Sequence, residues 1–315
     1  MNTRQLILPL ALILFAPILA VPRQYVLVEL FTSTGCTGCP GAAWGLDDLV
    51  SNGHPVAPMT DHVNDTFENR ATEERYAYYE VTGTPTVFFD GLDPCNIPSS
   101  GVSLYPEYLA RLEARMLVPS KYELSAYGAL DGLTCSTAVD ITKAEADSNS
   151  NVVLHLAVTE TAIPFNWWPD NRVVNFVNRI MVPDFNGTPV AVESLPLGGQ
   201  LSLDLSFNLK EEWNQDNVAV VVWLQNTLTK EILQSAKYSL ADLIRLRVPD
   251  PVASLDGSDL RLDWEPVPFA TSYAILRCDT PDGTFEHTAT VDGSLYMERL
   301  DSNTHRFYRV RALRD

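Results

Sequence analysis

The chain has 315 residues, 46% apolar and 20% charged, which excludes a wholly disordered polymer and leaves room for two or three domains at about 100–150 residues each. Its formal net charge is −18 and no basic stripe interrupts it, so repulsion from phosphate backbones excludes nucleic acid as a partner. Past residue 20, no apolar run reaches the roughly 18 residues that a membrane-crossing helix needs.

Residues 1–20 carry Arg4, an almost unbroken apolar stretch from Leu6 to Leu19, and the small residue Ala20. This is the pattern of a secretory signal peptide. A retained anchor would need a longer apolar stretch without two prolines, and no Cys follows to take a lipid. Export predicts the periplasm, the outer membrane surface or the extracellular space, where disulfides persist.

From residue 21 the pattern alternates strand and helix. Gln24 to Phe31 is nearly continuous apolar sequence and predicts a strand buried on both faces. Ala42, Ala43, Leu46, Leu49 and Val50 recur at helical steps. A strand is predicted over His54 to Met59, a helix over Asp65 to Val81, a strand over Thr84 to Gly91, and a helix over Tyr105 to Leu117. Residues 21–118 therefore read as an α/β domain. From Lys121 to about Leu243 the alternation has period two, with polar turns between runs, which predicts an all-β sandwich over residues 119–246. A proline-bearing joint at Val248–Val252 leads into a second all-β unit over residues 250–315, with Trp264, Tyr273 and Tyr308 as its candidate core.

The chemistry lies in Cys36-Thr37-Gly38-Cys39, between a buried strand and a helix. Free N–H groups and the macrodipole at a helix N-terminus favour a thiolate. Cys36 is the candidate nucleophile, and Cys39 the resolving thiol that releases a mixed disulfide. Pro40 suits the first helical turn, where a missing N–H costs nothing. Half a zinc site and a purely structural disulfide are the rival readings, and no second ligand pair stands at zinc spacing. No cofactor is predicted. Of the three remaining cysteines, Cys95 and Cys135 flank the first domain joint. A bridge between them is expected, worth roughly 3–4 kcal/mol by loop closure, with Cys278 left over.

The segments VLVELFTSTGCTGCP and VTGTPTVFFDG resemble thioredoxin-like domains. More narrowly, FTSTGCTGCP and YEVTGTPTVFFDG, with VAVVVWLQNTLTKEILQSA near the end of the middle unit, resemble the outer membrane protein 28-related family over roughly residues 24–243. The resemblance implies a cis Thr84-Pro85 bond beside the cysteines, with Thr84 offering backbone to an extended substrate. It implies a buried acid on the strand before the motif. Glu29 is the candidate, standing one residue further from the first Cys, and it is either a proton relay to Cys39 or a carboxylate paired elsewhere. His62 and Asp65 match positions that recur in the family, and read as a satisfied His beside a helix-capping Asp. Residues 250–315 resemble a fibronectin type III domain lacking its seventh strand. Trp167 and Trp168 read as packing residues, with an exposed contact patch as the alternative.

The sequence therefore predicts a secreted thiol–disulfide oxidoreductase acting on protein thiols and disulfides. The alternative is a non-catalytic surface protein that uses the first domain as scaffold toward a cell-surface partner. Oligomeric state stays open. N-terminal sequencing of exported protein is expected to begin after Ala20, and a start at Met1 in that fraction would refute cleavage.

Overall fold

A computed structural model describes residues 21–168, 171–300 and 305–314, and only the backbone of Trp168, Asn171 and Arg172. The predicted leader, with Arg4 and Ala20, lies outside the described residues. The fold is mostly β, with few helices and several sheets. The first part runs β1 (Val26–Thr32), α1 (Pro40–Ser51), β2 (Val56–His62), α2 (Arg70–Tyr78), β3 (Thr86–Phe89), β4 (Leu92–Cys95) and α3 (Tyr105–Met116).

The α2 helix is shorter at both ends than the span predicted from residue 65. Asn69 caps it, its side chain accepting from the N–H groups of Ala71 and Thr72 while Thr72 reaches back to the Asn69 N–H. That closed capping box defines the start. Asp65 and Phe67 are left to a turn that serves the cysteine site.

The middle part contributes β5 (Tyr122–Asp131), β6 (Thr134–Lys143), β7 (Val152–Glu160), β8 (Ile163–Trp168), β9 (Asn171–Val174), β10 (Val177–Val182), β11 (Thr188–Val190), β12 (Gln200–Asn208), β13 (Val218–Asn226), β14 (Ile232–Ser239) and α4 (Leu240–Leu243). Two sheets face each other here. The β12-β6-β5 sheet lays Tyr122, Leu124, Val139 and Ile141 against Leu154, Leu156, Val220 and Val222 of β7 and β13. The second sheet does not stop at the edge of this unit. It is nine-stranded, in the order β14-β13-β7-β10-β2-β1-β3-β4 with β11 on β7, so it crosses residues 118 and 119 into the α/β part. The join is β10 against β2, parallel, at Val177 and Thr60. The sheet curls until β14 comes back to β1, where Ser235 Oγ donates to the Tyr25 carbonyl over 2.9 Å.

All seven residues of β1 are buried, because its two faces serve different cores. Val26, Val28 and Leu30 pack on Ala42, Leu46 and Leu49 of α1 and on Tyr108 and Leu112 of α3. Leu27 faces Met59, Ala157, Val221 and Trp223 inside the curl. Glu29 shares that inner face. Both its oxygens accept from Arg75 of α2 over 2.7 Å, and Arg75 also donates to Gln225 of β13 over 3.0 Å. Asp61, the register partner of Phe31, lies beside Glu29 and accepts from Asn178 over 2.7 Å. Burial, then the Glu29 charge, pushes Asp61 well above the usual carboxylate range. A second polar seam joins buried Asp90 to Arg23 and Arg115, each at 3.0 Å.

The last part holds β15 (Val252–Asp256), β16 (Asp259–Asp263), β17 (Ser272–Cys278), β18 (Glu286–Val291), β19 (Leu295–Arg299) and β20 (Phe307–Leu313). Two three-stranded sheets, β15-β16-β19 and β18-β17-β20, enclose Leu260, Leu262, Trp264, Tyr273, Ile275 and Val310. Trp264 and Tyr273 meet edge to face at 5.2 Å. Tyr308 sits at the rim, its hydroxyl donating to Glu298. This part touches the middle one through Arg314, which donates to the Gly128 carbonyl over 3.1 Å, and Arg247, stacked 3.5 Å from the Tyr127 ring centre.

Removing one member of a buried ion pair strands the other in a dry interior. Arg75→Met is therefore expected to cost about 3–5 kcal/mol in urea unfolding. A loss under 1 kcal/mol would show that the pair does not hold α2 to the inner face.

Candidate functional site

Cys36 and Cys39 occupy the turn between β1 and α1. The Cys36 N–H donates to the Ser33 carbonyl over 3.0 Å and the Cys39 N–H to the Cys36 carbonyl over 3.3 Å, folding the four residues onto the helix start. The sulfurs are joined as a disulfide. Cys36 is partly exposed, whereas Cys39 has no exposed surface and forms the N-cap of α1, with Pro40 next. Thr84-Pro85 is cis, and the Thr84 carbonyl oxygen lies 3.5 Å from Cys36 Sγ. Thr84 is half-buried and Pro85 buried, so Thr84 presents backbone at the surface beside the accessible sulfur.

The segment after β4 lies along the other side of the motif. The Ser99 N–H donates to the Gly38 carbonyl over 2.8 Å and the Ser99 carbonyl accepts from the Gly41 N–H over 2.7 Å. The approach needs glycine. A Cβ on Gly38 would stand 2.7 Å from Pro98 Cβ, and one on Gly41 would collide with the Val102 carbonyl. Ile97 and Val102 of this segment are exposed, Val102 at 72%, and put apolar surface next to the cysteines.

His62 and Asp65 support the turn before the motif. Asp65 accepts from His62 Nδ1 over 2.8 Å and from the backbone N–H groups of Thr34 over 2.7 Å and Phe67 over 2.8 Å. Asp65 thus ties the β2 exit to the residue two before Cys36, and caps no helix. Phe67 packs edge-on against His62 at 5.1 Å and against Phe165 of β8 at 5.2 Å. Trp167 is half-buried and donates to the Val173 carbonyl over 3.2 Å, while the side chain of Trp168 lies outside the described residues.

Two expectations are corrected. Glu29 does not relay protons to Cys39. Strands alternate faces, so Glu29, between Val28 and Leu30, points away from α1, and both its oxygens are held by Arg75. The one-residue displacement noted in the sequence is what turns it over. Cys95 and Cys135 form no bridge. Both are buried free thiols, Cys95 in the core beneath α1 and α3 and Cys135 in the core of the middle sandwich. Burial pushes both thiols up, so they are poor nucleophiles. Cys278 is a partly exposed free thiol. Among the described residues, no group of three or more His, Cys, Asp and Glu could hold a metal ion. Arg75, Gln225 and Asn178 carried no local signal, because each reads as an ordinary polar residue until the sheet closes over it.

The chain matches no protein-family model and no curated protein. Among solved structures it is similar to HBP35 of Porphyromonas gingivalis, at 12% identity and a TM-score of 0.60, over 92% of this chain and 98% of that one. At that identity the likeness is one of fold, and it runs nearly the full length of both. A domain of the outer membrane lipoprotein Omp28 from Porphyromonas gingivalis aligns at 12% identity over 38% of this chain and 88% of that one. Its TM-score of 0.29 carries no argument.

Burial alone would raise Asp65, but the His62 hydrogen bond and charge and the two backbone N–H groups hold it below its ordinary value of 3.8. A depressed folded value stabilises above the unfolded value and is lost as pH falls through the folded one. Asp65→Asn is expected to cost about 1–3 kcal/mol at neutral pH, shrinking as pH drops below about 4. Urea midpoints at several pH values check this, and a pH-independent difference would refute it.

Proposed function

We propose that the protein is an exported thiol–disulfide oxidoreductase acting on protein thiols and disulfides through Cys36 and Cys39, in a thioredoxin-like domain of the outer membrane protein 28-related kind. The observation that carries the reading is the asymmetry of the pair: Cys36 is reachable at a helix N-terminus, and Cys39 is buried three residues on. The Cys36 thiolate attacks a substrate disulfide, one substrate sulfur leaves as a thiolate, and Cys36 holds the other in a mixed disulfide. Cys39 then attacks Cys36 Sγ, the mixed disulfide breaks, and the second substrate sulfur leaves. The enzyme ends oxidised with the Cys36–Cys39 bond, and the reverse sequence oxidises a substrate dithiol. Thr84, beside Cys36, offers backbone to an extended substrate, and exposed Ile97 and Val102 supply apolar contact.

The leader-like residues 1–20 support export to the periplasm, the outer membrane surface or the medium. Among the described residues no helix is long and apolar enough to cross a membrane. The fibronectin type III-like reading of residues 250–315 gives a module outside the chemistry, suited to a cell-surface partner. A purely scaffolding role would place both sulfurs out of reach, and partial exposure of Cys36 argues against it.

Cys39→Ser is expected to trap substrates on Cys36 as mixed disulfides, identifiable by mass spectrometry after non-reducing separation. Cys36→Ser should trap none. Equal recovery from both variants, or no exchange with any disulfide by the native protein, would favour the scaffold reading.

A further inference from the structure

With Glu29 on the far face of β1, the resolving thiol needs another route for its proton. The face of the sheet under α1 supplies one. Leu30 and Thr32 of β1 are register partners of Thr60 and His62 of β2, so all four side chains lie on the face that packs on α1. Cys39, the N-cap of α1, and Ala43, Leu46 and Asp47 within the helix fall on one stripe at helical spacing. Thr32, His62, Ala43 and Asp47 line one small cavity of about 20 Å³, lined also by Trp167 and Phe176. Thr32 Oγ1 is buried there and has no hydrogen-bond partner. Cys39 stands one helical turn from Ala43, at the end of the same stripe.

The imidazole is oriented for a base. Nδ1 of His62 is 2.8 Å from Asp65, whose two other bonds are accepted from backbone N–H groups. Asp65 is therefore an anionic acceptor, which selects the tautomer protonated at Nδ1 and leaves Nε2 as the basic nitrogen. His62 is 2% exposed, so the ring is shielded from bulk solvent. The other titratable group lining the cavity is Asp47, which accepts from Asn175 over 2.9 Å. Burial, opposed by the Asn175 bond and helped by the neighbouring Asp48 charge, lifts it to about 6. Asp48 itself accepts from Ser103, and the hairpin residues lining the cavity carry no charge.

We infer that His62, oriented by Asp65, takes the Cys39 proton when the mixed disulfide is resolved, with the Thr32 hydroxyl on the same face as the bridging group. The inference rests on the oxidoreductase reading above. The Cys39 S–H proton passes to His62 Nε2, the thiolate forms the bond to Cys36 Sγ, and the Cys36–substrate bond breaks. The departing substrate thiolate or solvent then takes the proton from the imidazolium. His62 acts here on the resolving half of the cycle alone, since Cys36 already has the helix terminus to favour its thiolate.

The full chain, carrying Cys278→Ser to remove the other partly exposed thiol, is reduced and mixed with a symmetric nitrobenzoate disulfide whose arylthiolate is coloured. The first arylthiolate reports attack by Cys36 and the second reports resolution by Cys39. His62→Gln is expected to slow the second release by about 100-fold, the lower end of general-base effects, and to leave the first within about two-fold. Added imidazole should restore the second release in His62→Gly and leave the first unchanged, a rescue that a purely structural role would not give. Independently of any variant, the native second release should slow in deuterated solvent and the first should not. An unchanged second-release rate in His62→Gln, no imidazole rescue, or no isotope effect on the second release would each overturn the inference. Failure of the native protein to release even the first arylthiolate would instead overturn the oxidoreductase reading on which it stands.

Discussion

The two-residue alternation of β1 is the constraint on which the rest of this structure depends. Val28, Leu30 and Thr32 face α1 and the cysteine turn, while Leu27, Glu29 and Phe31 face the curled sheet. A strand enclosed this way has no solvent side, so a polar residue on it must find its partner inside the protein. Glu29 finds Arg75, and that pairing fixes α2 across the inner face. The same alternation leaves the α1 side free of that charge cluster and puts Thr32, with His62 beside it, on the side of α1.

The α/β part and the middle β part are therefore coupled mechanically as well as by chain connection. Their shared sheet runs through one β2–β10 contact, but the side-chain bonds across the seam are numerous and buried. Arg75 reaches Gln225, Asp61 reaches Asn178, Gln24 bonds Gln234 and the Leu124 carbonyl, Arg23 donates to the Ile232 carbonyl, and Arg115 pairs with Glu231. Such groups do not stabilise much relative to a well-packed apolar interface, yet losing any one leaves others unpaired. They specify how the sheet closes. The hairpin of β8 and β9 is carried into place by this closure, and its Phe165 and Trp167 complete the surroundings of His62. The cysteine site is thus built by two parts of the chain, although every sulfur and proton-carrying group named in it lies before residue 92.

The last β part is held differently. Its own core contains Trp264, Tyr273 and Ile275, and its ties to the middle part run through Arg314, Arg247 and Leu246. That arrangement suits a module whose orientation follows the middle sandwich while its fold does not require the cysteine site.

Local patterns decided the elements. The apolar run of β1, the helical stripe of α1, the Cys36–Cys39 spacing with Pro40, and the period-two runs after residue 121 were legible because each is set by neighbours within a few residues. The turn at Thr84-Pro85 was legible through resemblance. What sequence could not decide was which side chains meet across the fold. Glu29 was noticed, but whether it served Cys39 or another partner depended on strand phase, and one residue of displacement put it against Arg75. Cys95 and Cys135 looked paired by parity and position, yet they were carried into separate cores, since cysteine count holds no distance. His62 and Asp65 were visible as residues, but their bearing on Cys39 arose only when β2, α1 and a hairpin more than 100 residues away closed one cavity. Elements come from short-range pattern; partners of buried charges and thiols come from long-range packing, which the tertiary structure alone decides.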